Sequence, residues 1–343
     1  IEAAAEEGRE VLQVTTPVVE AFYRECGLLG IRLPDYIPRS STSIDEAVEI
    51  IQLLIEKGHA YWHDGNVYFD PLTYEGFGEI FGLDMSNWPK HKVRFSQDTY
   101  NGLRWNRGDF ILWHGHKGDD LIHWDTAIGK GRPAWNVQDP AMTAQTLGYE
   151  IDIHCGGIDN KWRHHDYNRA IMESASGTEF ARYWLHGEHL IVDGQKMSKS
   201  KGNVIYPETL IERGCDGQRI RFLLIYGYYR NKLNVTDKMM DDRCNELEEL
   251  QQHVAALLDN TAGKAKRSQR MEAAAHEIIP IFEHAMNNDL HVAEAIDEVK
   301  GVVDELHFLS GGRGLPRDIR ESAQKALRRV DAVLGVIFPR TDT

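Results

Sequence analysis

Apolar residues recur at helical spacing near the N-terminus of the chain, which predicts two helices there. Residues 1–30 form the first, with apolar positions at Val11, Val14, Val18 and Phe22. After a break at Arg32-Leu33-Pro34, Ser43 is a typical N-cap for a second amphipathic helix, and Gly58 ends it. Two short apolar strands around Asp64-Gly65-Asn66 then predict a hairpin.

The middle of the chain predicts a nucleotide-binding sheet. Residues 105–153 are interpreted as mainly loop, and residues 149–154 as a buried strand. Gly156-Gly157 follows, then a helix through residues 167–174 and another strand over residues 184–192. A strand, a glycine turn, a helix and a second strand in this order are typical of a parallel α/β sheet.

The last third of the chain predicts an all-α unit. Amphipathic periodicity covers four segments, at residues 236–260, 269–288, 291–310 and 317–337. Short polar linkers between four helices favour a four-helix bundle. The charged outer faces of these helices are explained by solvation alone.

Composition places the chain among multi-domain globular proteins. It has 343 residues, with 42% apolar and 27% charged residues, and no apolar run of about 18 residues that could cross a membrane. The net charge of −14 weakens any expectation of nucleic-acid binding, because phosphate contacts need local basic patches such as Lys196–Lys201. Four scattered cysteines without paired spacing favour reduced thiols, so a cytoplasmic location is expected.

The segment Lys196-Met197-Ser198-Lys199-Ser200, followed by Gly202-Asn203, is the most specific motif. Lysines on a deformable loop can meet the charge that develops on ATP phosphates when pyrophosphate leaves. Ser198, Ser200 and Gly202 allow the backbone to approach those phosphates. A lysine cluster alone would be a solvated turn, but the full string resembles the signature loop of class I aminoacyl-tRNA synthetases, which implies ATP-dependent adenylation.

A second constellation follows the predicted strand at residues 149–154. Gly156 and Gly157 would let a nucleoside approach, and Asp159 could accept hydrogen bonds from the ribose hydroxyls. By itself Gly-Gly-x-Asp is a weak signal that a turn explains better. His164 and His165 could be metal ligands, but adjacent histidines face different sides of a helix, so one at most would serve.

With both motifs in this order, the chain resembles the cysteinyl-tRNA synthetases and the related cysteine–sugar ligase of mycothiol synthesis. The resemblance is collinear over most of the chain. It includes Leu33-Pro34, Ile37-Pro38-Arg39, Lys57-Gly58-His59-Ala60-Tyr61, Asp109-Phe110-Ile111-Leu112-Trp113, Gly131-Arg132-Pro133-Ala134-Trp135, Gly156-Gly157-Ile158-Asp159, His164-His165, the Lys196 loop, Tyr229-Arg230 and Phe282–Asp289.

The resemblance implies a class I synthetase fold, with a Rossmann-like parallel sheet followed by a helical bundle. The catalytic domain would span residues 1–235, with a connective insertion over about 60–130 and the signature loop at 194–203; the bundle would span 236–343. The implied function is adenylation of an amino acid with ATP and Mg²⁺, then transfer to tRNA. Lys196 and Lys199 would stabilise pyrophosphate, and Trp135, Asp139, His164 and Asn168 would shape the substrate pocket.

The zinc site of the family is not preserved in this chain. The family uses two cysteines, a histidine and a glutamate. The chain has Asp139 in place of one cysteine and Asn168 in place of the glutamate, and the other cysteine would lie in an N-terminal segment that the chain is expected to lack, so His164 is the one ligand retained. Without soft sulfur ligands we expect no zinc. Asp139 and Asn168 would then either face a polar group of the substrate, such as an amine, or simply fill a decayed site.

Two further departures bear on function. The His-x-Gly-His motif of class I enzymes lies before the part of the family that this chain matches. Either a natural segment precedes Ile1, which the lack of an initial methionine favours, or half of the ATP site is lost. The resemblance ends near Phe338, before the family's anticodon-reading unit, so we expect no counterpart of that unit. A tRNA-independent ligase acting on a small amine and a non-catalytic paralogue are therefore alternatives.

Overall fold

The computed structural model describes residues 2–83, 109–118, 122–161, 163–198, 201–261 and 264–340. The helices are α1 (Glu2–Glu7), α2 (Val11–Leu29), α3 (Ile44–Glu56), α4 (Trp135–Leu147), α5 (Ile158–Lys161), α6 (His164–Ser176), α7 (Pro207–Glu212), α8 (Gly217–Ile225), α9 (Asp237–Leu258), α10 (Gln269–Asn287), α11 (Val292–Ser310) and α12 (Arg317–Leu334). Within these described ranges, no helix is long and apolar enough to span a membrane.

The strands are β1 (Ala60–His63), β2 (Asn66–Phe69), β3 (Phe110–Gly115), β4 (Trp124–Thr126), β5 (Gly129–Pro133), β6 (Ile151–Gly157), β7 (Ala181–Gly187), β8 (Leu190–Val192), β9 (Gln195–Lys196) and β10 (Leu233–Val235). The chain divides into two compact units, each described by itself below. Unit 1 is Pro34–Gly187, and unit 2 combines Glu2–Leu33 with Glu188–Thr343. The predicted domain boundary at residues 235 and 236 stays a prediction.

An antiparallel sheet in the order β1-β2-β3-β5-β4 occupies part of unit 1, in the interval predicted for the insertion. Asp64 and Gly65 make the predicted hairpin turn between β1 and β2, both with positive φ, of 45° and 73°. The sheet packs its apolar side into a core with α3 and α6, where Phe110 and Tyr167 stack at 3.9 Å between ring centroids. Stacked aromatic rings contribute beyond their buried area.

Residues 105–153 are not mainly loop, so that interpretation was wrong. Among the residues described there, β3, β4, β5 and the thirteen-residue helix α4 account for most of the segment. The sequence did not predict α4 as a helix, because its apolar residues form no clear stripe and because Pro140 lies inside it. Val137 and Ala141 are buried in the core of unit 1, and this burial stabilises the helix despite its weak local preference.

The parallel pair β6 and β7, connected through α5 and α6, confirms the predicted strand–helix–strand unit. The prediction that residues 149–154 form a buried strand was wrong, because none of these residues is buried and Ile153 is 54% exposed. The second strand, predicted over residues 184–192, is interrupted: β7 ends at Gly187 and β8 begins at Leu190, in unit 2.

Unit 2 contains the predicted bundle, and its four helices begin and end within three residues of the predicted bounds. Thr236 and Ser268 cap α9 and α10 by accepting hydrogen bonds from backbone N–H groups three residues on. The buried faces of α9 to α12 form one apolar core that Phe222 of α8 also joins. A small sheet in the order β10-β8-β9 completes the unit.

Candidate active site

Asp139, His164 and Trp135 form one cluster in unit 1. His164 begins α6 and is 6% exposed, and its Nε2 lies 2.7 Å from the Asp139 Oδ2 on α4. The Trp135 ring, at the first position of α4, stacks on the His164 ring at 4.2 Å and 8°. The structure thus brings together three of the four residues predicted for the substrate pocket.

The Asp139 carboxylate determines which nitrogen of His164 carries the proton. A carboxylate accepts hydrogen bonds, so in the neutral form of His164 Nε2–H donates to Asp139 and Nδ1 is an acceptor. That Nδ1 atom is buried and makes no hydrogen bond with the residues that the structure describes. A buried acceptor without a partner is costly, so His164 is ready to accept a hydrogen bond from a ligand.

Asn168, the fourth predicted pocket residue, lies one helical turn after His164 on α6. It is 1% exposed, and neither its Oδ1 nor its Nδ2 has a hydrogen-bond partner among the described residues. Because i and i+4 residues share one face of a helix, Asn168 and His164 lie on the same face of α6. Two unsatisfied amide atoms there destabilise the fold unless a ligand pairs with them.

A cavity of about 560 Å³ opens beside this cluster, wholly within unit 1. Its wall includes Asp35, Asp139, His154, His164 and His165. Over the described ranges the lining has two carboxylates but no lysine or arginine. Such a wall attracts ammonium groups and hydrogen-bond donors and repels phosphates.

Two contacts among three histidines, of which His154 and His165 line the cavity, were not predicted from the sequence. His165 Nδ1 lies 2.8 Å from His186 Nε2 on β7, and the His154 and His165 rings meet edge to face at 4.6 Å. Burial lowers the pKa of His165 to about 3 and that of His154 to about 4. Both imidazoles are therefore neutral at pH 7. The three residues lie on β6, α6 and β7, so no local spacing could have indicated the cluster.

Gly156 at the end of β6 is required for close packing, whereas the contact at Gly157 is with the movable carboxylate of an exposed side chain. A Cβ on Gly156 would lie 2.6 Å from the His165 ring, and one on Gly157 would lie 2.7 Å from the Asp159 Oδ1. Asp159 is exposed in the short helix α5. Packing within the chain thus accounts for glycine at Gly156 without a ligand. The predicted contacts of Gly156, Gly157 and Asp159 with the nucleoside stay predictions.

The signature loop lies in unit 2, on a hairpin of β8 and β9. Asp193 and Gly194 turn the hairpin with φ of 47° and 76°, and Lys196 is the exposed last residue of β9. Its Nζ donates to His189 Nε2 at 3.3 Å. Of the predicted site residues, Lys199 and Ser200 lie outside the described residues.

Asn203 closes the base of the signature loop, a role that its place in the motif did not reveal. Its Oδ1 accepts from the Ser198 N–H at 2.9 Å, and its Nδ2 donates to the Lys196 carbonyl at 3.2 Å. One amide side chain thereby satisfies backbone groups on two residues of the loop. The structure thus fixes the course of Lys196 and Ser198, whose predicted contacts with ATP remain predictions.

The residues at the family's metal position do not fit a zinc ion in this structure. The Asp139 Oδ2 and His164 Nε2 are hydrogen-bonded to each other at 2.7 Å, closer than the roughly 3.3 Å between two ligand atoms of a tetrahedral zinc ion, and no cysteine sulfur of the described residues groups with them. Across the described ranges, no three histidine, cysteine or acidic side chains are grouped to hold a metal. The reaction proposed below therefore involves no zinc, and the absence of zinc from the protein stays a prediction.

Comparison with known proteins decides the family. The model of the class I tRNA synthetase (C) catalytic domain matches residues 1–245. The chain belongs to the cysteinyl-tRNA synthetase family. A cysteine–tRNA ligase of Chlamydia pneumoniae is 32% identical over 98% of this chain and 71% of its own length. One from Brachyspira hyodysenteriae is 36% identical over 92% of the chain and 66% of its own length.

A solved structure confirms the class I synthetase fold. Methionyl-tRNA synthetase from Mycobacterium tuberculosis, in complex with methionyl-adenylate, superimposes with a TM-score of 0.64 at 15% identity. The match covers 98% of this chain and 79% of that one. At such low identity the similarity concerns the fold alone.

Proposed function

We propose that this cysteinyl-tRNA synthetase family member uses ATP to adenylate an amino acid. The supporting observation is the hairpin of β8 and β9 together with the signature loop, called the signature hairpin below. It exposes Lys196, and Asn203 fixes the loop by hydrogen bonds to the backbone of Lys196 and Ser198. In this proposal Lys196 and Lys199 stabilise the departing pyrophosphate, with Mg²⁺ accompanying ATP. Ser198, Ser200, Gly156, Gly157 and Asp159 complete the nucleotide contacts.

We assign the amino acid to the cavity beside Asp139, His164, Trp135 and Asn168. The anionic, cation-free character of the described wall favours an ammonium group there and disfavours the triphosphate. The substrate carboxylate attacks the α-phosphorus directly, so no side chain needs to act as a general base. Selection of the substrate would then rest on hydrogen bonds and charge instead of a zinc–thiolate bond.

ATP–pyrophosphate exchange, measured for each of the twenty amino acids with zinc chelated, tests this proposal. We expect exchange with at least one amino acid in the presence of the chelator. Exchange with cysteine that is strong and depends on added zinc would contradict the assignment of Asp139. No exchange with any amino acid, from protein that still binds ATP, would favour the non-catalytic alternative.

We propose tRNA as the acceptor of the activated amino acid, in a cytoplasmic enzyme, because the relatives matched over nearly the whole chain are cysteine–tRNA ligases. The net charge of −14 favours the alternative, a small amine as acceptor. Incubation with labelled amino acid and either total tRNA or a panel of amino sugars discriminates the two. Acid-stable label on RNA supports the first proposal, and label on an amino sugar supports the second.

A further inference from the structure

A single carboxylate at the corner of the bundle accepts four hydrogen bonds from three consecutive residues. Asp289, in the connection from α10 to α11, accepts from the hydroxyl groups of Tyr228 and Tyr229 and from two nitrogens of Arg230. We call these four residues the Asp289 clasp. The guanidinium contact is bidentate, which is the strongest geometry for such a pair.

The clasp holds an uncommon backbone. Asp289 and Leu290 both have left-handed conformations, with φ of 55° and 57°, and such values are unfavourable for a leucine. An exposed ion pair between two free side chains contributes little, but a carboxylate that receives four donors from one segment forms a network. Its arrangement therefore ties the bundle corner firmly to the segment that carries Tyr228, Tyr229 and Arg230.

Hydrogen bonds join the segment of Tyr228, Tyr229 and Arg230, and the residues that follow it, to the signature hairpin. The Tyr229 carbonyl accepts from the Glu188 N–H at 2.7 Å, just before β8 begins. β10 then runs parallel to β8, and the Asn234 Oδ1 accepts from the Gly194 N–H at the hairpin turn at 2.9 Å. Residues 228–235 are thus joined to the hairpin at its base, along its length and at its tip.

Lys196 depends on the same anchor. Glu188, which is fixed by the Tyr229 carbonyl, precedes His189, and the His189 Nε2 accepts the hydrogen bond from the Lys196 Nζ. We propose that Asp289 is a positioning residue for Lys196, acting through residues 228–235 on the signature hairpin. This inference rests on the proposed adenylation activity for its consequence, but not for its structural part.

The chain offers a closely matched control. The Tyr226 hydroxyl donates to Asp297, so a second tyrosine–aspartate bond joins the end of α8 to α11. Tyr226 lies ahead of the residues that contact the hairpin, and Asp297 makes no described bond to Tyr229 or Arg230. Asp289→Asn and Asp297→Asn each remove one carboxylate charge from the same region. Asparagine also tolerates the left-handed backbone at position 289.

Hydrogen exchange measured by mass spectrometry tests the structural part without any catalysis. In Asp289→Asn we expect peptides covering residues 188–198 to exchange roughly 5- to 20-fold faster, because loosened anchors raise the population of locally open states. Asp297→Asn should leave these peptides unchanged. Arg230→Gln attacks the clasp from its other side and should reproduce the effect, which covers the case of an Asp289 variant that fails to fold. Unchanged exchange in both clasp variants would overturn the proposal.

Kinetics test the functional part. In ATP–pyrophosphate exchange, Asp289→Asn should reduce kcat/KM for ATP roughly 5- to 20-fold, about 1–2 kcal/mol, with the KM for the amino acid unchanged. A raised KM for the amino acid, or faster hydrogen exchange with unaltered ATP kinetics, would contradict a positioning role. If the wild-type protein shows no exchange activity, the proposed function fails. Calorimetric ATP affinity, weakened in Asp289→Asn but not in Asp297→Asn, would then still decide the role of the clasp.

Discussion

The signature hairpin of unit 2 differs from the cavity of unit 1 lined by His154, His164 and His165, called the histidine pocket here, in whether polar groups have hydrogen-bond partners within the chain. In the hairpin, Asn203 satisfies backbone groups of Lys196 and Ser198, and Asn234 satisfies the turn at Gly194. At the pocket, His164 Nδ1 is buried without a described partner, and one helical turn further along α6 both amide atoms of Asn168 are as well. The hairpin is a loop whose shape is fixed by its own side chains, whereas the pocket is stable only at a cost that a ligand can remove.

This contrast predicts different responses to substitution. Changes in the hairpin should impair the chemical step and leave stability nearly unchanged, because its important side chain is exposed. Changes in the pocket should alter substrate affinity and stability together. All eight tryptophans of the chain lie between residues 34 and 187, so tryptophan emission reports the unfolding of unit 1 alone.

The largest effect is expected for Lys196→Ala. Loss of a donor that meets charge developing on pyrophosphate costs roughly 100- to 1000-fold in kcat. The KM for the amino acid should not change. Lys201→Ala removes an equal charge from the same loop and is the control in pyrophosphate exchange. Equal losses in the two variants would mean that only the general charge of the loop matters.

Acidification should destabilise unit 1 through its neutral histidines. The pKa of His154 is lowered to about 4 and that of His165 to about 3 by burial, while an unfolded histidine titrates near 6.5. Between pH 6.5 and 4 the unfolded chain binds more protons, so stability is present above pH 6.5 and is lost as the pH falls. At pH 5 each histidine contributes a loss of roughly 2 kcal/mol, since one pKa unit is about 1.4 kcal/mol.

Urea unfolding at pH 7.5 and pH 5, followed by tryptophan emission, measures this loss. His165→Gln should lose roughly 2 kcal/mol less than wild type over that interval. Asp166 acts in the opposite direction: burial raises its pKa to about 6, so the folded form binds its proton more tightly and gains stability as the pH falls. Asp166→Asn should therefore increase the acid sensitivity. Parallel pH profiles for all three proteins would refute the assignment.

How far the sequence determined these regions depends on the range of the contacts involved. α9 to α12 could be predicted closely because helical periodicity and the caps at Thr236 and Ser268 are local signals. α4 could not, because its stability comes from burial of Val137 and Ala141. In the site, the resemblance indicated Asp139, His164 and Asn168 but not their contacts. The histidine cluster and the Asp289 clasp join distant segments, which no local pattern encodes.

Asp139→Asn should separate substrate binding from the chemical step. The amide oxygen can still accept from the His164 Nε2–H, so the geometry is retained while the negative charge is lost. We expect the KM for the amino acid to rise roughly tenfold, with the KM for ATP unchanged, because a charged hydrogen bond contributes about 1.5–3 kcal/mol. Asp152→Asn, at an exposed ion pair with Arg182 in the same unit, is the control. An unaltered KM would favour a decayed site.

The smallest effect, and the one that separates the two regions most directly, is expected for Asn168→Leu. Replacing an unsatisfied buried amide by an apolar group of similar size should raise the free energy of unfolding by about 1–2 kcal/mol. The tryptophan-reported Tm should then rise by roughly 2–8 °C.

Ser174→Ala is the matched control, because the Ser174 Oγ on the same helix is also buried without a described partner. Both variants should stabilise unit 1, since each removes an unsatisfied group. If the pocket binds substrate, only Asn168→Leu should raise the KM for the amino acid. Stabilisation by both variants with unaltered kinetics would mean that Asn168 fills the core and takes no part in binding.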